Sequence, residues 1–309
     1  NMMHSKRTMI DVVHNYPKMR ELRRRQLTMD IYGSTYKQIT TEEVRRRIPA
    51  LTGGGPESRL PIIGGMVHTD AGVNRHDAVA WGYARGASAR GVHVIQNCEV
   101  KAIRRGSKGE VVGVETSRGF IGAKKVGVVA AGNTSNIMEM ADVRMPLESY
   151  PLQALVSEPV KPVFPCVVMS NAVHAYISQS DKGEMVIGGG TDGHNNYTQR
   201  GSFHHIEETV RALVETFPMI SRLKMLRQWG GIVDMTGDRS PIISTSPVPG
   251  IFVNCGWGTG GFKAIPGSGW ATAEMVAKGA PGALAAPFGL DRFAEGRMID
   301  ESVAAAVAH

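Results

Sequence analysis

Cysteine is scarce in this chain of 309 residues. There are three, Cys98, Cys166 and Cys255. They are far apart and odd in number, which excludes a disulfide framework and a four-cysteine zinc site. A reducing cytoplasm is the expected compartment. Aromatic residues make up only 6%, and none interleave the basic runs, so the stacking surface of a nucleic-acid binder is missing. No apolar run reaches the roughly 18 residues that a membrane helix needs. The opening NMMHSKRTMIDVVH lacks the basic, apolar and small-residue order of a signal peptide. A Ser nucleophile elbow of the G-x-S-x-G type is absent, and no H-E-x-x-H helix is present to hold zinc. No metal, no membrane and no nucleic acid are therefore expected.

What is present is an ordinary globular balance, with 42% apolar and 20% charged residues, which argues against disorder. At roughly 150 residues per domain the length suggests two domains. Lys plus Arg is 35 and Asp plus Glu 28, a net charge of +7. Part of the excess lies in Arg20 with Arg23-Arg24-Arg25 and in Arg45-Arg46-Arg47. Both runs are read as solvated helix faces or subunit contacts. Glycine, at 37 residues, is high, as strand ends that approach a nucleotide require, though turns require it too.

Along the chain, Thr40 with Glu43 forms a capping box ahead of Val44, and that helix stops before Pro49. Residues 61–67 read as a strand. Asn74 is expected to cap a helix running to about Arg90, ended by Gly91. His93 to Asn97 reads as a short strand. Glu99 to Arg104 and Glu110 to Thr116 read as an antiparallel pair. Lys125 to Ala131 reads as a buried strand, followed by Gly132 and a helix from about Thr134. Residues 147–200 are strand-like segments separated by turn residues, which suggests an antiparallel sheet. A helix over 204–218 and strands at 226–234 and 251–255 follow. A glycine-rich loop and a helix, ATAEMVAKG, come last. The class is α/β, mixed with α+β character: one sheet-forming domain is interrupted by a second and completed near the C-terminus.

The strongest local feature is IFVNCGWGTGGFKAIPGSGW, residues 251–270. Glycines let backbone amides approach a ligand closely, and a helix start favours negative charge. Lys263 adds a cation in that loop. The pattern is read as neither the Rossmann fingerprint nor a Walker A loop. Gly132, after Ala130-Ala131, ends a strand where backbone can approach a cofactor. His76, flanked by Arg75 and Asp77, lies in a first helical turn; spacing alone makes it a surface or capping side chain more often than an anchor. His204, His205, Glu207 and Glu208 lack metal-site spacing and are read as a solvated face.

QALVSEPVKP, PCVVMSNAVHAYISQSDKGE, RQWGGIVDMTGDRSPIIS and VNCGWGTGGFKAIPGSG carry a resemblance, as do GVNRHDAVAWGYAR, VIQNCEV and LDRFAEGRMIDE with its AAAVAH end. Together they resemble the D-amino-acid-oxidase-like, FAD-dependent amine oxidases, and within them the beta-subunit family of heterotetrameric sarcosine oxidases. The similarity covers essentially the whole chain. It implies the FAD-dependent amine oxidase fold: a discontinuous FAD-binding domain (68–147 and 240–309) and an antiparallel-sheet substrate domain (1–67 and 148–239). It also implies oxidative demethylation of sarcosine at a non-covalent FAD. By the same resemblance electrons would pass to a covalent FMN and oxygen would be reduced to hydrogen peroxide, with glycine and formaldehyde or methylene-tetrahydrofolate as products. Alpha, gamma and delta subunits are the implied partners. Alternatives are a flavin-dependent dehydrogenase subunit for proline, dimethylglycine or an opine, and a truncated, non-catalytic partner-binding subunit.

By the same resemblance His76 is the FMN attachment residue, with Arg75 beside it. Lys263 is the catalytic cation near FAD and the substrate carboxylate. Val100 contacts the FAD adenine, and Gly132, Thr259, Gly260 and Gly261 contact flavin. Tyr176 and Gly188 to Asp192 would roof the substrate pocket. The strand and G-x-G-x-x-G helix that open family members have no counterpart, and Asn1 falls inside the substrate domain. Roughly the first hundred residues of a member, about a small domain, would be missing.

Overall fold

The computed structural model describes residues 3–170, 172–173 and 175–299. The expectations for residues 1–2 and 300–309 lie outside the described residues. The chain opens with β1 (His4–Lys6) and β2 (Met9–Val13). α1 (Tyr16–Ile31) starts where Asn15 accepts a hydrogen bond from the Lys18 amide, with a proline in its first turn. β3 (Tyr36–Ile39) leads to α2 (Thr41–Arg47). The Thr40 hydroxyl accepts from the Glu43 amide at 3.2 Å, as the capping box predicts. The Glu43 carboxylate turns instead to Arg47, at 2.6 Å, and to Arg46. Next come β4 (Gly64–His68), β5 (Gly72–Asn74) and α3 (His76–Ser88). The antiparallel β6 (Val100–Arg105), β7 (Val111–Thr116) and β8 (Gly119–Gly122) follow, then β9 (Val126–Val128) and α4 (Thr134–Glu139).

The second half begins with the meander β10 (Glu148–Pro159), β11 (Val167–Ser170), β12 (Ala175–Gln179) and β13 (Glu184–Thr191). α5 (Phe203–Thr216), β14 (Met225–Met235), β15 (Ile242–Thr245), β16 (Ile251–Cys255) and α6 (Gly261–Lys278) complete it.

Eight strands form the largest sheet, in the order β14-β10-β13-β12-β11-β2-β4-β3. Only β11 and β2 run parallel in it. Side chains alternate between the faces of a strand. One face carries Ile10, Val12, Leu155, Val168, Ile177 and Ile187 into a core shared with Val44 of α2 and Leu213 of α5. At one end of the other face, Val13, Tyr36 and Met66 are covered by Met19 and Leu22 of α1. The rest of that face, with Ala154, Met169, Tyr176 and Val186, is half-buried. A second core lies around a three-stranded sheet, β15-β16-β9, packed by α4 and α6.

Three local expectations are corrected. Residues 93–97 form no strand. Val92, Val94 and Ile95 are 55%, 50% and 50% exposed, and the Gln96 and Asn97 carbonyls accept from the Arg118 guanidinium instead of a ladder. The α3 cap is Arg75, without a side-chain cap bond, because the Asn74 side chain is held by His4 at 3.1 Å. Finally, the last helix starts at Gly261, ten residues before the expected ATAEMVAKG, and carries Pro266 inside it. Ala271 and Met275 anchor it on β15 and β16. A Cβ at Gly267 or Gly269 would meet nothing, so those glycines lie on an open face where they do not break the helix.

Candidate functional site

β9 and β16 are neighbouring parallel strands, paired Val126 to Ile251 and Val128 to Val253. Their carboxyl ends bring Gly132 and the Gly256–Gly261 loop to one edge, the place where open α/β sheets bind ligands. Gly132 is buried there, and a Cβ on it would lie 2.2 Å from Cγ2 of Ile232 in β14. Its carbonyl accepts from the Ser149 hydroxyl at 2.9 Å. Packing on β14 and β10 thus requires this glycine, whatever else contacts it.

The loop after β16 is fixed from beneath. Gly256 and Gly258 have φ of +74° and +51°, a region costly for residues with a Cβ. The Gly256 amide donates to the Asp234 carboxylate at 2.6 Å, and the Gly258 amide to the Asp234 carbonyl at 2.8 Å. Asp234 is the penultimate residue of β14 and is 3% exposed. Burial raises its pKa, while the backbone amides of Gly256, Trp257 and Gly258 work in the opposite direction. The Trp257 indole donates to Asn254 at 2.5 Å, and Asn254 donates to Thr272 at 2.7 Å. These contacts revise the sequence reading. Gly256, Gly258 and Gly261 do follow G-x-G-x-x-G spacing between a strand and a helix. No described strand follows α6 to close a βαβ unit, and the protein's own carboxylate takes the first amide of the loop.

Gly260 precedes α6 without a side-chain cap bond, so the start of that 18-residue helix is open to a ligand. Lys263, expected from sequence in the glycine-rich loop, belongs instead to the first turn of this helix. It is an exposed residue, yet its pKa is lowered, first by burial of the surroundings of its ammonium and then by the charge of Arg25. Arg25 is half-buried on α1 and stacks over the Tyr36 ring, 5.8 Å from its centroid. The Tyr36 hydroxyl donates to the buried Asp11 at 2.6 Å. Sequence reading treated Arg25 as part of a solvated run. Its position three residues after the buried Leu22 is the signal that separates it from the exposed Arg23 and Arg24.

His76 and Arg75 stand apart from that edge, at the start of α3. The His76 side chain is exposed and has no hydrogen bond among the described residues. Arg75 pairs with Asp77 and lines a cavity of about 390 Å³ with Ser5, Arg7, Gln179 and Lys182. Val100 lies elsewhere again, as the first residue of β6, paired with Thr116. The residues named from sequence therefore occupy three places. Gly132, Thr259, Gly260, Gly261 and Lys263 form one edge, His76 with Arg75 a second, and Val100 a third.

Tyr176 lies on the half-open face of the large sheet. A Cβ on the cross-strand Gly188 would come within 1.9 Å of its ring. Burial raises the Tyr176 pKa, so the phenol stays protonated. Asp192 accepts from Gln153 at 2.5 Å and from Asn196 at 3.1 Å. Gln153 also accepts from the Ser202 amide and from Gln228. The helix over Phe203–Thr216 corrects one detail of the solvated-face reading. His204 pairs with Glu208 at 3.3 Å on the surface, as expected. His205 turns inward beneath Gly189, and its Nε2 is buried without a partner. Among the described residues no cluster could hold a metal.

The FAD dependent oxidoreductase family description matches residues 1–275. The chain belongs to this family. It is 58% identical to a sarcosine oxidase subunit beta of Rhodobacter capsulatus, over 100% of this chain and 74% of that protein. A sarcosine oxidase subunit beta of Arthrobacter is 47% identical, over 99% of this chain and 75% of its own length. Among solved structures, L-proline dehydrogenase from P. horikoshii superposes with a TM-score of 0.85 at 22% identity, covering 96% of this chain and 78% of that one. Glycine oxidase from Geobacillus kaustophilus gives 0.81 at 19% identity, covering 94% and 76%. The mixed α/β fold is that of the FAD-dependent oxidoreductases, and the chain is a flavin oxidoreductase subunit. The site fits the family's cofactor: an uncapped helix start and tightly approached glycines meet at the ends of two parallel strands.

Proposed function

We propose that this chain is the amine-oxidising subunit of a sarcosine oxidase complex. The observation that carries the reading is 58% identity across the whole chain to a protein named sarcosine oxidase subunit beta. Sarcosine, oxygen and water would give glycine, formaldehyde and hydrogen peroxide, with methylene-tetrahydrofolate in place of formaldehyde when a partner supplies folate. FAD, when bound, supplies the two-electron acceptor for the amine. FMN joined to His76 would carry electrons onward, and alpha, gamma and delta subunits would complete a cytoplasmic assembly. No described helix is long and apolar enough to cross a membrane. The proposed division assigns 1–67 and 148–239 to the substrate domain, and 68–147 and 240–309 to the FAD-binding domain.

The chain's own residues have distinct parts in this proposal. Lys263 places a positive charge where negative charge develops, and holds the substrate carboxylate. The protonated Tyr176 phenol donates a hydrogen bond from the open sheet face above the substrate. Gly132, Thr259, Gly260 and Gly261 bring backbone against the flavin ring, and Val100 receives the adenine. His76 supports covalent attachment because its imidazole is exposed at the start of α3.

The test uses the full-length protein co-expressed with its partner subunits. Sarcosine consumption with equal yields of formaldehyde and peroxide, and flavin fluorescence on this subunit's band in a denaturing gel, is the expected result. No turnover of sarcosine overturns the substrate. Turnover with an artificial acceptor but without peroxide replaces the oxidase by a dehydrogenase.

A further inference from the structure

The geometry points to Asp234 as the residue that sets the flavin-facing loop, a positioning role that rests on the flavin assignment above. Successive amides around left-handed glycines form a concave nest that binds anions. In a loop with G-x-G-x-x-G spacing, that nest is where a phosphate would otherwise sit. Here the anion is internal. The Asp234 carboxylate receives the Gly256 amide at 2.6 Å, and its carbonyl receives the Gly258 amide at 2.8 Å. The loop is therefore committed at its base. The Gly260 amide is also taken, by the Trp257 carbonyl at 2.9 Å, so what this segment offers a ligand is the first turn of α6 from Gly261 onward.

A buried carboxylate is costly unless it is hydrogen-bonded. Asp234 meets that condition by restraining Gly256 and Gly258 at positive φ. Its place is held independently, because Ser149 is its register partner across β10 and β14, and the Ser149 hydroxyl donates to the Gly132 carbonyl. One strand pair thus fixes both the Gly256 loop and the Gly132 turn, the two backbone segments at the edge. The partners of Asp234 are the loop amides of Gly256 and Gly258 and its strand neighbour Ser149, so the role inferred for it is a positioning one. It acts by holding the amides and Lys263 in register with β9.

The experiment compares wild type, Asp234→Ala and Asp234→Asn in the full-length protein. Two readouts are used: the Kd of the apoprotein for FAD, and hydrogen exchange of the peptide spanning residues 252–260. Asp234→Ala is expected to weaken FAD binding about tenfold or more, shift the flavin visible spectrum and speed exchange at Gly256. Asp234→Asn keeps one acceptor oxygen and should recover most of the binding. A role confined to stability would lower the unfolding temperature of Asp234→Ala while leaving the Kd and spectrum of the folded fraction unchanged, which overturns the inference. Equal loss in Asn and Ala also overturns it, as does unchanged exchange at Gly256. If wild type itself fails to bind FAD, the flavin assignment falls, and the exchange measurement still decides whether Asp234 anchors the loop.

Discussion

Two arginine–aspartate pairs in this chain contrast in how they are used. Arg292 and Asp238 are buried, with side chains 1% and 2% exposed, and bond at 2.8 and 2.9 Å. Arg292 also donates to the carbonyls of Gly289 and Ser240 and stacks on Phe293. Arg75 and Asp77 lie in the open, next to the exposed His76. The buried pair is satisfied on every side and available to nothing else. The exposed pair is near solvent and near a cavity, so its charges are weakly held and free to respond to a ligand. The same contrast separates the Gly256 loop, tied down by Asp234, from the imidazole of His76, which is exposed and has no hydrogen bond among the described residues.

Substitutions can sharpen that contrast. The largest effect is expected at His76: in His76→Ala, flavin fluorescence on the denatured subunit should vanish entirely, read from a gel of the assembled protein. Retained fluorescence would move the attachment elsewhere. Next is Lys263→Met, which should lower kcat by about 10²–10³-fold, the range for losing one preorganised electrostatic contact. Steady-state kinetics with sarcosine measures it, and an unchanged kcat would remove Lys263 from the reaction.

Arg292→Ala should destabilise the protein by about 3–5 kcal/mol, because it leaves a buried carboxylate unpaired. Denaturant unfolding gives the number, and a loss near zero would mean the site relaxes to admit water. Asp238 adds a pH signature. Burial alone would raise its pKa, but hydrogen bonds from Arg292 and the Ile299 and Ser240 amides, with the Arg292 charge, hold it at about 2. A depressed carboxylate contributes stability that is complete above its unfolded value of 3.8 and is lost as pH falls toward 2. Stability of the wild type should therefore drop across that window, and the drop should be smaller in Arg292→Ala. The smallest effect is expected at Thr40→Ala, about 1 kcal/mol for loss of the α2 cap; a shift in Tm indistinguishable from zero would mean Glu43 holds the turn through Arg46 and Arg47 alone.

Much of this architecture is legible in the residues themselves. Thr40 caps α2 because its hydroxyl is short and close, and that chemistry is local. α5 reads correctly because Ile206, Val210 and Leu213 recur at helical spacing. Failures came where distant partners decide. Asn74 has cap chemistry, but His4 claims its side chain across a strand pair. Residues 93–97 look like a strand, yet a strand needs a neighbour, and Arg118 takes the Gln96 and Asn97 carbonyls instead. GFKAIPGSGW looks like a loop, but anchoring by Ala271 and Met275 carries the helix through its glycines and Pro266. His76 is singled out by resemblance, its spacing alone carrying little, whereas Lys263 already stands out within the glycine-rich segment 251–270. Asp234 gave no local signal, since its partners lie 22 residues or more ahead at Gly256 and beyond.

The buried Arg292–Asp238 pair also bears on the order of synthesis. The two residues are 54 positions apart, with β15, β16 and α6 between them. A ribosome completes the turn carrying Asp238 well before it makes Arg292. Until then the guanidinium that Asp238 pairs with in the folded chain does not exist. Pairing at Asp238 therefore has to wait for the segment Leu290–Phe293, which makes that segment the partner the Asp238 turn requires from 54 residues downstream.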